Sequence, residues 1–207
     1  MSIQNLPFDV SFLKEYYSEP HRVYHDLRHI NDLLTLIDEH VENEEQALLL
    51  KAVAWFHDAF YDPKLGSPQN EQKSIEIFES VSHLFEPSQA QEIKDIILAT
   101  SLHMTDQSNA SALTQIFLDM DMGNFRLPFE RYMEYTKRVF DEYVLSGYSE
   151  NEVLRGQKDF AKKLLQKTNL YYTPLFKPQE DRARANLKRF VEEGFAPPRK
   201  VPFANKN

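Results

Sequence analysis

Apolar residues recur along this chain at intervals of three and four positions, which is the spacing of one face of an α-helix. The clearest stripe runs through Leu27, Ile30, Leu34, Ile37 and Val41. Segments rich in Val, Ile and Thr, which would indicate strands, are hard to find. The pattern predicts helices over residues 8–17, 26–41, 44–59, 70–84, 88–103, 111–124, 129–145, 150–168 and 180–193.

Proline and glycine mark the ends of these segments. Pro128 fits the first turn of the helix over 129–145, and Gly194 follows the last helix, where glycine commonly ends helices. We therefore predict one all-α domain over residues 1–195, a bundle of about eight to ten helices with a central cleft, followed by a loose tail over 196–207. A core over about 18–126 is expected to hold the functional site, with the C-terminal helices over 128–194 covering one side.

Composition narrows the classes of function. The chain has 207 residues, a formal net charge of −8 and no basic stripe, so we do not expect it to bind a nucleic-acid polymer. No apolar stretch approaches the ~20 residues of a membrane span, and residues 1–17 lack the basic start and apolar run of a signal peptide. The absence of cysteine excludes disulfides and thiolate ligands. These features favour a cytoplasmic protein without a membrane partner.

The pair His57-Asp58 closes an apolar run that extends from Ala47 to Phe56. Burying a carboxylate is expensive unless a cation or hydrogen bonds compensate it, so packing alone does not explain this pair at the end of a buried helix. A divalent metal ion satisfies both residues at once, because neutral imidazole and carboxylate are ligands of zinc, iron and manganese. The pair therefore predicts a metal site.

Further ligand types lie on both sides of this pair. His25 and His29 are four residues apart and would share a face of a helix, although a lone histidine there would more simply be a packed imidazole with a hydrogen-bonded neighbour. Asp119 and Asp121 are two apart, so they do not both face the same centre. The apolar stripe around Asp121 favours it as the ligand. Asp119 is then either an acceptor that orients a ligand histidine or a helix cap.

Four segments in this order resemble the signature of the HD-domain metal-dependent phosphohydrolases, in particular a bacterial subgroup of predicted phosphohydrolases. They are Tyr24–Ile30, Trp55–Pro63, Asn70-Glu71 and Leu118–Asp121, and the resemblance extends from about residue 18 to residue 172. It implies that His29, His57, Asp58 and Asp121 bind the metal. In a distant branch, the cyclic-nucleotide phosphodiesterases, a histidine four residues before the first ligand protonates the leaving oxygen. His25 occupies the matching position.

Other polar residues suit the remaining roles of such a site. His103 lies in an interval where some members of the superfamily hold a second metal and others contact phosphate; without a His-His pair, one metal ion is favoured. Glu71 either orients the attacking water, binds a second metal or is a solvated glutamate in the first turn of a helix. The candidate phosphate ligands are Arg22, Arg28 and Arg126, with surface salt bridges as the alternative for each.

The resemblance implies hydrolysis of a phosphate ester of a nucleotide or another small phosphorylated metabolite by a metal-activated water. His25 or His103 would protonate the leaving oxygen, and one or more arginines would neutralise the developing charge. Histidine and carboxylate ligands admit Mn, Fe, Co, Ni, Zn or Mg.

Three other interpretations are weighed against this one. The same scaffold can serve as a non-catalytic regulatory module that binds a nucleotide or a metal. The segment from His25 to His29 is similar to the H-E-x-x-H pattern of zinc peptidases with Asp in place of Glu, but that interpretation leaves His57-Asp58 unexplained. A purely structural helical protein does not explain so many ligand types in one order. The pattern leaves the oligomeric state open, a homodimer included.

Overall fold

The computed structural model describes residues 6–195 and is all-α, as the periodicity predicts. Within this range no strand occurs, and none of the helices is both long and apolar enough to cross a bilayer. The helices are α1 (Leu13–Tyr16), α2 (Leu27–His40), α3 (Glu44–Phe56), α4 (Gln69–Glu79), α5 (Pro87–Thr100), α6 (Ala112–Asp121), α7 (Phe129–Leu145), α8 (Glu150–Gln166) and α9 (Glu180–Glu193). Short 3₁₀ segments are Val10–Phe12, Ser82–Leu84, Gly123–Arg126 and Lys177–Gln179. The predicted tail over 196–207 lies outside the described residues, and the division of the domain into a core and covering helices stays a prediction.

Helix α3 lies at the centre of the fold because nearly all of its second half is apolar. Its buried residues are Leu49, Leu50, Ala52, Val53, Ala54, Trp55 and Phe56. Helices α2, α4, α5 and α6 all pack against it. The ring of Phe56 lies 5.2 Å from that of Phe78 and 5.3 Å from that of Phe8, measured between centroids. Burial of one such side chain stabilises the fold by about 1.5–3 kcal/mol, so the end of α3 is firmly held.

Capping side chains determine where the helices that carry the site begin. Asp26, Asn43 and Ser111 each accept a hydrogen bond from a backbone N–H two or three residues later, at the starts of α2, α3 and α6. Such caps satisfy N–H groups that have no partner within the helix. Pro128 directly precedes α7 as its N-cap, one position before the first turn that the sequence predicts for it. With their starts fixed in this way, α3 and α6 end with His57 and Asp121 close to each other.

Several predicted helix bounds are wrong. α3 ends at Phe56 rather than at residue 59, because the chain turns there and the guanidinium of Arg22 donates to the carbonyls of Asp58 (2.6 Å) and Ala59 (3.0 Å). α5 ends at Thr100, so His103 lies in a turn beyond it. α6 ends at Asp121 and is followed by the 3₁₀ segment. The predicted helices over 8–17 and 70–84 shrink to α1 and α4, each flanked by a 3₁₀ segment.

Candidate metal centre

Three candidate metal ligands, carried by three helices, converge at one point of the fold. His29 lies in the first turn of α2, His57 is the C-cap of α3 and Asp121 is the last residue of α6. One ligand atom from each lies within 4.8 Å of the others, so these three residues can hold a metal ion. The Nε2 atoms of the two histidines are 3.2 Å apart, and Asp121 Oδ1 lies 3.1 Å from His29 Nε2 and 3.7 Å from His57 Nε2.

The carboxylate of Asp58 borders the same space. Its Oδ2 lies 2.9 Å from His57 Nε2 and 3.8 Å from His29 Nε2. The turn after α3 puts it there: a helix that continued to residue 59 would point adjacent side chains about 100° apart. The break in α3 therefore lets the adjacent residues His57 and Asp58 face one centre, which the predicted helix would not.

The donor set fits a divalent cation. His57 Nδ1 lies 3.0 Å from the carbonyl oxygen of Ala54, which can only accept, so Nδ1 carries the proton and Nε2 is left to bind a metal. Burial lowers the pKa of His57, but the carboxylates of Asp58 and Asp121 outweigh burial and raise that pKa well above its ordinary value. Burial raises the pKa of both carboxyls, but the histidines outweigh it and hold each pKa below its usual range. Two ionised carboxylates that attract positive charge, with two imidazole nitrogens, suit a borderline or hard metal ion.

His103 joins this group from the turn after α5. Its Nε2 lies 2.9 Å from Asp121 Oδ2, the oxygen that does not face the other histidines. Its Nδ1 is buried and has no hydrogen-bond partner among residues 6–195. The ammonium of Lys167 donates to the carbonyl oxygen of His103 at 2.5 Å and fixes the turn. His103 therefore lies where it orients Asp121.

His25 does not lie on the same helix as His29, so the two histidines do not share a helix face as their spacing of four would allow. Asp26 caps α2, so His25 precedes the helix in an irregular segment. The two rings still lie 6.0 Å apart between centroids, and His25 Nε2 is 4.0 Å from Asp58 Oδ2. The ring of Tyr61 packs against that of His25 with centroids 4.0 Å apart. Both histidines therefore reach the cluster, His29 from the first turn of α2 and His25 from the segment before that helix.

Glu142, in the last turns of α7, is the site residue that sequence analysis misses. It is fully buried, and its Oε2 accepts hydrogen bonds from the backbone N–H groups of Val23, Tyr24 and His25 at 2.9–3.1 Å. Its Oε1 lies 2.5 Å from His25 Nδ1. Burial raises the pKa of Glu142, but His25 and the backbone N–H groups outweigh burial and lower it. Burial lowers the pKa of His25, but the charges of Glu142 and Asp58 raise it overall.

Two of the three candidate phosphate ligands are already engaged within the protein. Arg22 is buried. Its guanidinium donates to Glu19 at 2.7 Å, in addition to the carbonyls of Asp58 and Ala59. It therefore positions the turn that carries Asp58, and the prediction of a phosphate contact does not hold for it. Arg28 is largely exposed and bonds to Asp26 at 2.5 Å and to the carbonyl of Val23 at 3.0 Å. This is the surface salt bridge that the sequence offered as the alternative.

Arg126 and Glu71 differ from those two arginines. Within the described range, the guanidinium of Arg126 has no hydrogen bond or ion pair and lies over the ring of Phe176, 4.9 Å from its centroid. Glu71 is buried in the first turn of α4. Its Oε1 accepts a hydrogen bond from Ser67 at 2.6 Å, and its Oε2 has no hydrogen-bond partner among residues 6–195. Glu71 is therefore not a solvated glutamate, which is one of the alternatives that the sequence offers for it. No direct hydrogen bond or ion pair joins it to the histidine–aspartate cluster in the part of the chain that the structure describes.

Asp119 neither orients a ligand histidine nor caps a helix, so both predicted roles are wrong. It is buried, and its carboxylate accepts hydrogen bonds from Tyr172 N (2.9 Å), Thr173 N (2.7 Å) and Thr173 Oγ1 (2.6 Å). Burial raises its pKa, with these hydrogen bonds opposing the rise. It ties the loop before α9 to the helix that carries Asp121.

We expect Asp119→Ala to lower the free energy of unfolding by about 3 kcal/mol, because it leaves three partly buried donors without their partner. Urea denaturation of the metal-free protein measures this without a contribution from metal binding. Asp106→Ala is the matched control: Asp106 also accepts hydrogen bonds from a hydroxyl and an N–H, those of Ser108, but at the surface. Equal stability of the two variants would contradict the structural role given to Asp119.

A cavity of about 230 Å³ opens directly beside the cluster. His29 and Asp121 belong to its wall, together with Arg126. The remaining wall residues come from the middle of α2 and the segment before it, from the end of α6, from the 3₁₀ segment Gly123–Arg126 and the residue after it, and from Tyr135 of α7. A small molecule in this cavity would lie against the cluster.

Comparisons with known proteins give no match from which a function could be carried over. No family model, no curated protein and no solved structure matches the chain.

Proposed function

We propose that this protein is a metal-dependent phosphohydrolase that acts on a nucleotide or another small phosphorylated metabolite. The observation that carries the proposal is the convergence of His29, His57 and Asp121 within 4.8 Å, with Asp58 at its border. The ordered resemblance to the HD-domain phosphohydrolases supports the same four residues as ligands. We expect the protein to work in the cytoplasm, which suits a chain without cysteine.

The ligand set suits a divalent ion that acts as a Lewis acid, which is the chemistry that hydrolysis of a phosphate ester needs. A divalent ion bound by two histidines and two carboxylates supplies Lewis-acid chemistry for phosphate-ester hydrolysis. His57 keeps Nε2 free for binding through its Nδ1 contact with Ala54, and His103 orients Asp121 from the other side. His29, His57, Asp58 and Asp121 would hold the ion, which would activate a water molecule and polarise the phosphate ester.

His25 is suited to protonate the leaving oxygen. Glu142 binds His25 Nδ1 and so directs Nε2 toward the cluster, where it lies 4.0 Å from Asp58 Oδ2. The carboxylate also favours the protonated imidazole, which a general acid needs at neutral pH. Arg126, whose guanidinium is unpaired within residues 6–195, is suited to neutralise the phosphoryl oxygens in the wall of the adjacent cavity.

Two measurements on the purified protein test the proposal. Elemental analysis should find close to one divalent ion per chain, and a panel of phosphate esters with Mn, Co, Ni, Mg, Fe or Zn added should give metal-dependent phosphate release. If the protein holds metal stoichiometrically and binds a phosphate ester tightly but hydrolyses none, the result would favour the non-catalytic regulatory module instead. No metal after reconstitution would overturn the site assignment.

Arg126→Met should raise KM for the best ester about tenfold or more, since it removes a charge-assisted contact and leaves an unbranched apolar side chain beside Phe176. Arg131→Met is the control, because Arg131 is exposed and pairs only with Glu134 in the described structure. Unchanged KM in Arg126→Met would contradict the phosphate-binding role.

A further inference from the structure

The cavity beside the cluster has a composition that constrains what can lie in it. Much of its wall is apolar, and the apolar members are Leu33, Leu36, Met120 and Leu127. The ring of Tyr24 also borders the cavity at the cluster end, where it stacks on His29 with centroids 5.4 Å apart. A hydrogen bond also holds the side chain of Tyr24 in this position, because its hydroxyl accepts from the amide of Asn124 at 2.8 Å. Such a wall favours a ligand with an apolar face.

Two charged side chains of the wall are not proposed metal ligands. They are Asp32 and Arg126, whereas the charge of Asp121 would be offset by the metal ion. Asp32 is held by the hydroxyl of Tyr135, which donates to its Oδ2 at 2.8 Å. Two other guanidinium groups nearby, those of Arg28 and Arg138, both pair with Asp26 and are not part of the wall.

One cation is enough for one phosphoryl group. If Arg126 serves the phosphoryl group at the cluster, no wall cation remains for a second phosphate, and Asp32 repels one. An uncharged group meets no such repulsion and gains from the apolar side chains.

We propose that this cavity binds the leaving group of the substrate and selects phosphomonoesters whose leaving group is uncharged and has an apolar face, against those extended by a carboxylate or further phosphates. This inference rests on the proposed function, because it takes the phosphoryl group to lie at the cluster. The cavity that would hold the leaving group has a volume of about 230 Å³.

Three phosphonates test the proposed function and the inference about the cavity separately. They cannot be hydrolysed, because a carbon replaces the ester oxygen. Methylphosphonate reaches only the cluster, benzylphosphonate adds an apolar ring, and 4-carboxybenzylphosphonate adds a negative charge to that ring. Calorimetric titration of the Mn²⁺-loaded protein should give benzylphosphonate a Kd at least about tenfold lower than that of methylphosphonate. The carboxylated ring should bind about tenfold more weakly than the plain ring.

Wall variants test where the ring binds. Leu36→Phe narrows the cavity and should remove most of the advantage of benzylphosphonate over methylphosphonate; Thr35→Trp, at an exposed wall position, gives the same test if Leu36→Phe does not fold. Leu98→Phe on the exposed face of α5 is the matched control. Asp32→Asn should reduce the discrimination against the carboxylated ring to about threefold or less, whereas Glu39→Gln, which neutralises an exposed acid of the same helix, should not.

The outcomes separate the two proposals. If methylphosphonate does not bind the metal-loaded protein, the proposed function fails. If it binds and benzylphosphonate binds no more tightly, the inference about the cavity alone is overturned. It is equally overturned if the carboxylated ring binds as well as the plain one, or if the Leu36 and Leu98 variants lose the same affinity.

Discussion

Asp121→Asn should reduce bound divalent metal from about one ion per chain to a small fraction of that, and metal-dependent phosphate release should fall with it. Asp121 Oδ1 faces both ligand histidines, at 3.1 Å and 3.7 Å from their Nε2 atoms. An amide of the same shape carries no charge and is a poorer ligand. Because loss of an outer contact alone costs 10- to 100-fold in metal affinity, loss of a ligand charge should raise the Kd for Mn²⁺ by at least about 100-fold.

Elemental analysis and calorimetric titration with Mn²⁺ measure this effect directly. Circular dichroism of the metal-free variant shows whether the helices are intact, since Asp121 also contacts His103. Asp95→Asn is the control, because Asp95 is an exposed acid on α5 whose partner is Gln91. His57→Ala should lose metal in the same way. Full metal content and activity in either site variant would show that the cluster is not the metal site.

The cluster could be predicted because each ligand is marked in the sequence near its own position. His57-Asp58 follows an apolar run, and His29 and Asp121 each lie on an apolar stripe. Polar ligand types in buried positions are rare enough to be noticed without knowing what they face. The fold class was predictable for a related reason, since helical periodicity is a local property.

The bounds of the helices near the site were less predictable, because apolar residues continue past the true ends. Ala59 is buried, so the apolar periodicity predicts that α3 continues through His57 and Asp58. In the structure the chain turns after Phe56. The group that accounts for the turn is Arg22, whose partners Asp58 and Ala59 lie 36 and 37 residues away. An arginine two residues after Pro20 is typical of a solvated loop, and nothing local indicates that its donors are used by distant carbonyls.

Glu142 and Asp119 were missed or misinterpreted for the same reason. Glu142 lies 117 residues from His25, and its neighbour Asp141 pairs with Lys137 as on an ordinary exposed helix. Asp119 bonds to Thr173, 54 residues later. A buried carboxylate that compensates backbone N–H groups has no local pattern, so only the tertiary structure reveals it.

The second large effect is expected for Glu142→Gln. The variant should hydrolyse alkyl phosphates at least about 100-fold more slowly than the unmodified protein, while its rate with p-nitrophenyl phosphate should change by no more than about threefold. An amide cannot accept from both the backbone N–H groups and His25 Nδ1 with the same geometry, so it favours the wrong imidazole tautomer and removes the charge that keeps His25 protonated. An alkoxide leaving group needs that proton, whereas p-nitrophenolate leaves without it.

The same variant should be less stable. Glu142 accepts three backbone hydrogen bonds in a fully buried position, and a neutral replacement should lower the free energy of unfolding by about 1–3 kcal/mol. Because folding lowers the pKa of Glu142, its ionised form stabilises the fold above the carboxyl's ordinary pKa of 4.5, and this contribution is lost as pH falls through the folded-state value. The stability difference between the two proteins, measured by urea denaturation, should therefore shrink on acidification.

The leaving-group dependence distinguishes a positioning role from a merely structural one. A variant that is only unstable would lose activity with both esters in proportion, and Glu134→Gln, an exposed acid on the same helix, should change neither rate. His25→Ala should show the same selective loss with alkyl phosphates, and adding Glu142→Gln to it should have little further effect on that rate, because the two residues act as one unit. Additive losses, or equal losses with both esters, would mean that Glu142 holds the Val23–His25 segment in place without directing a proton.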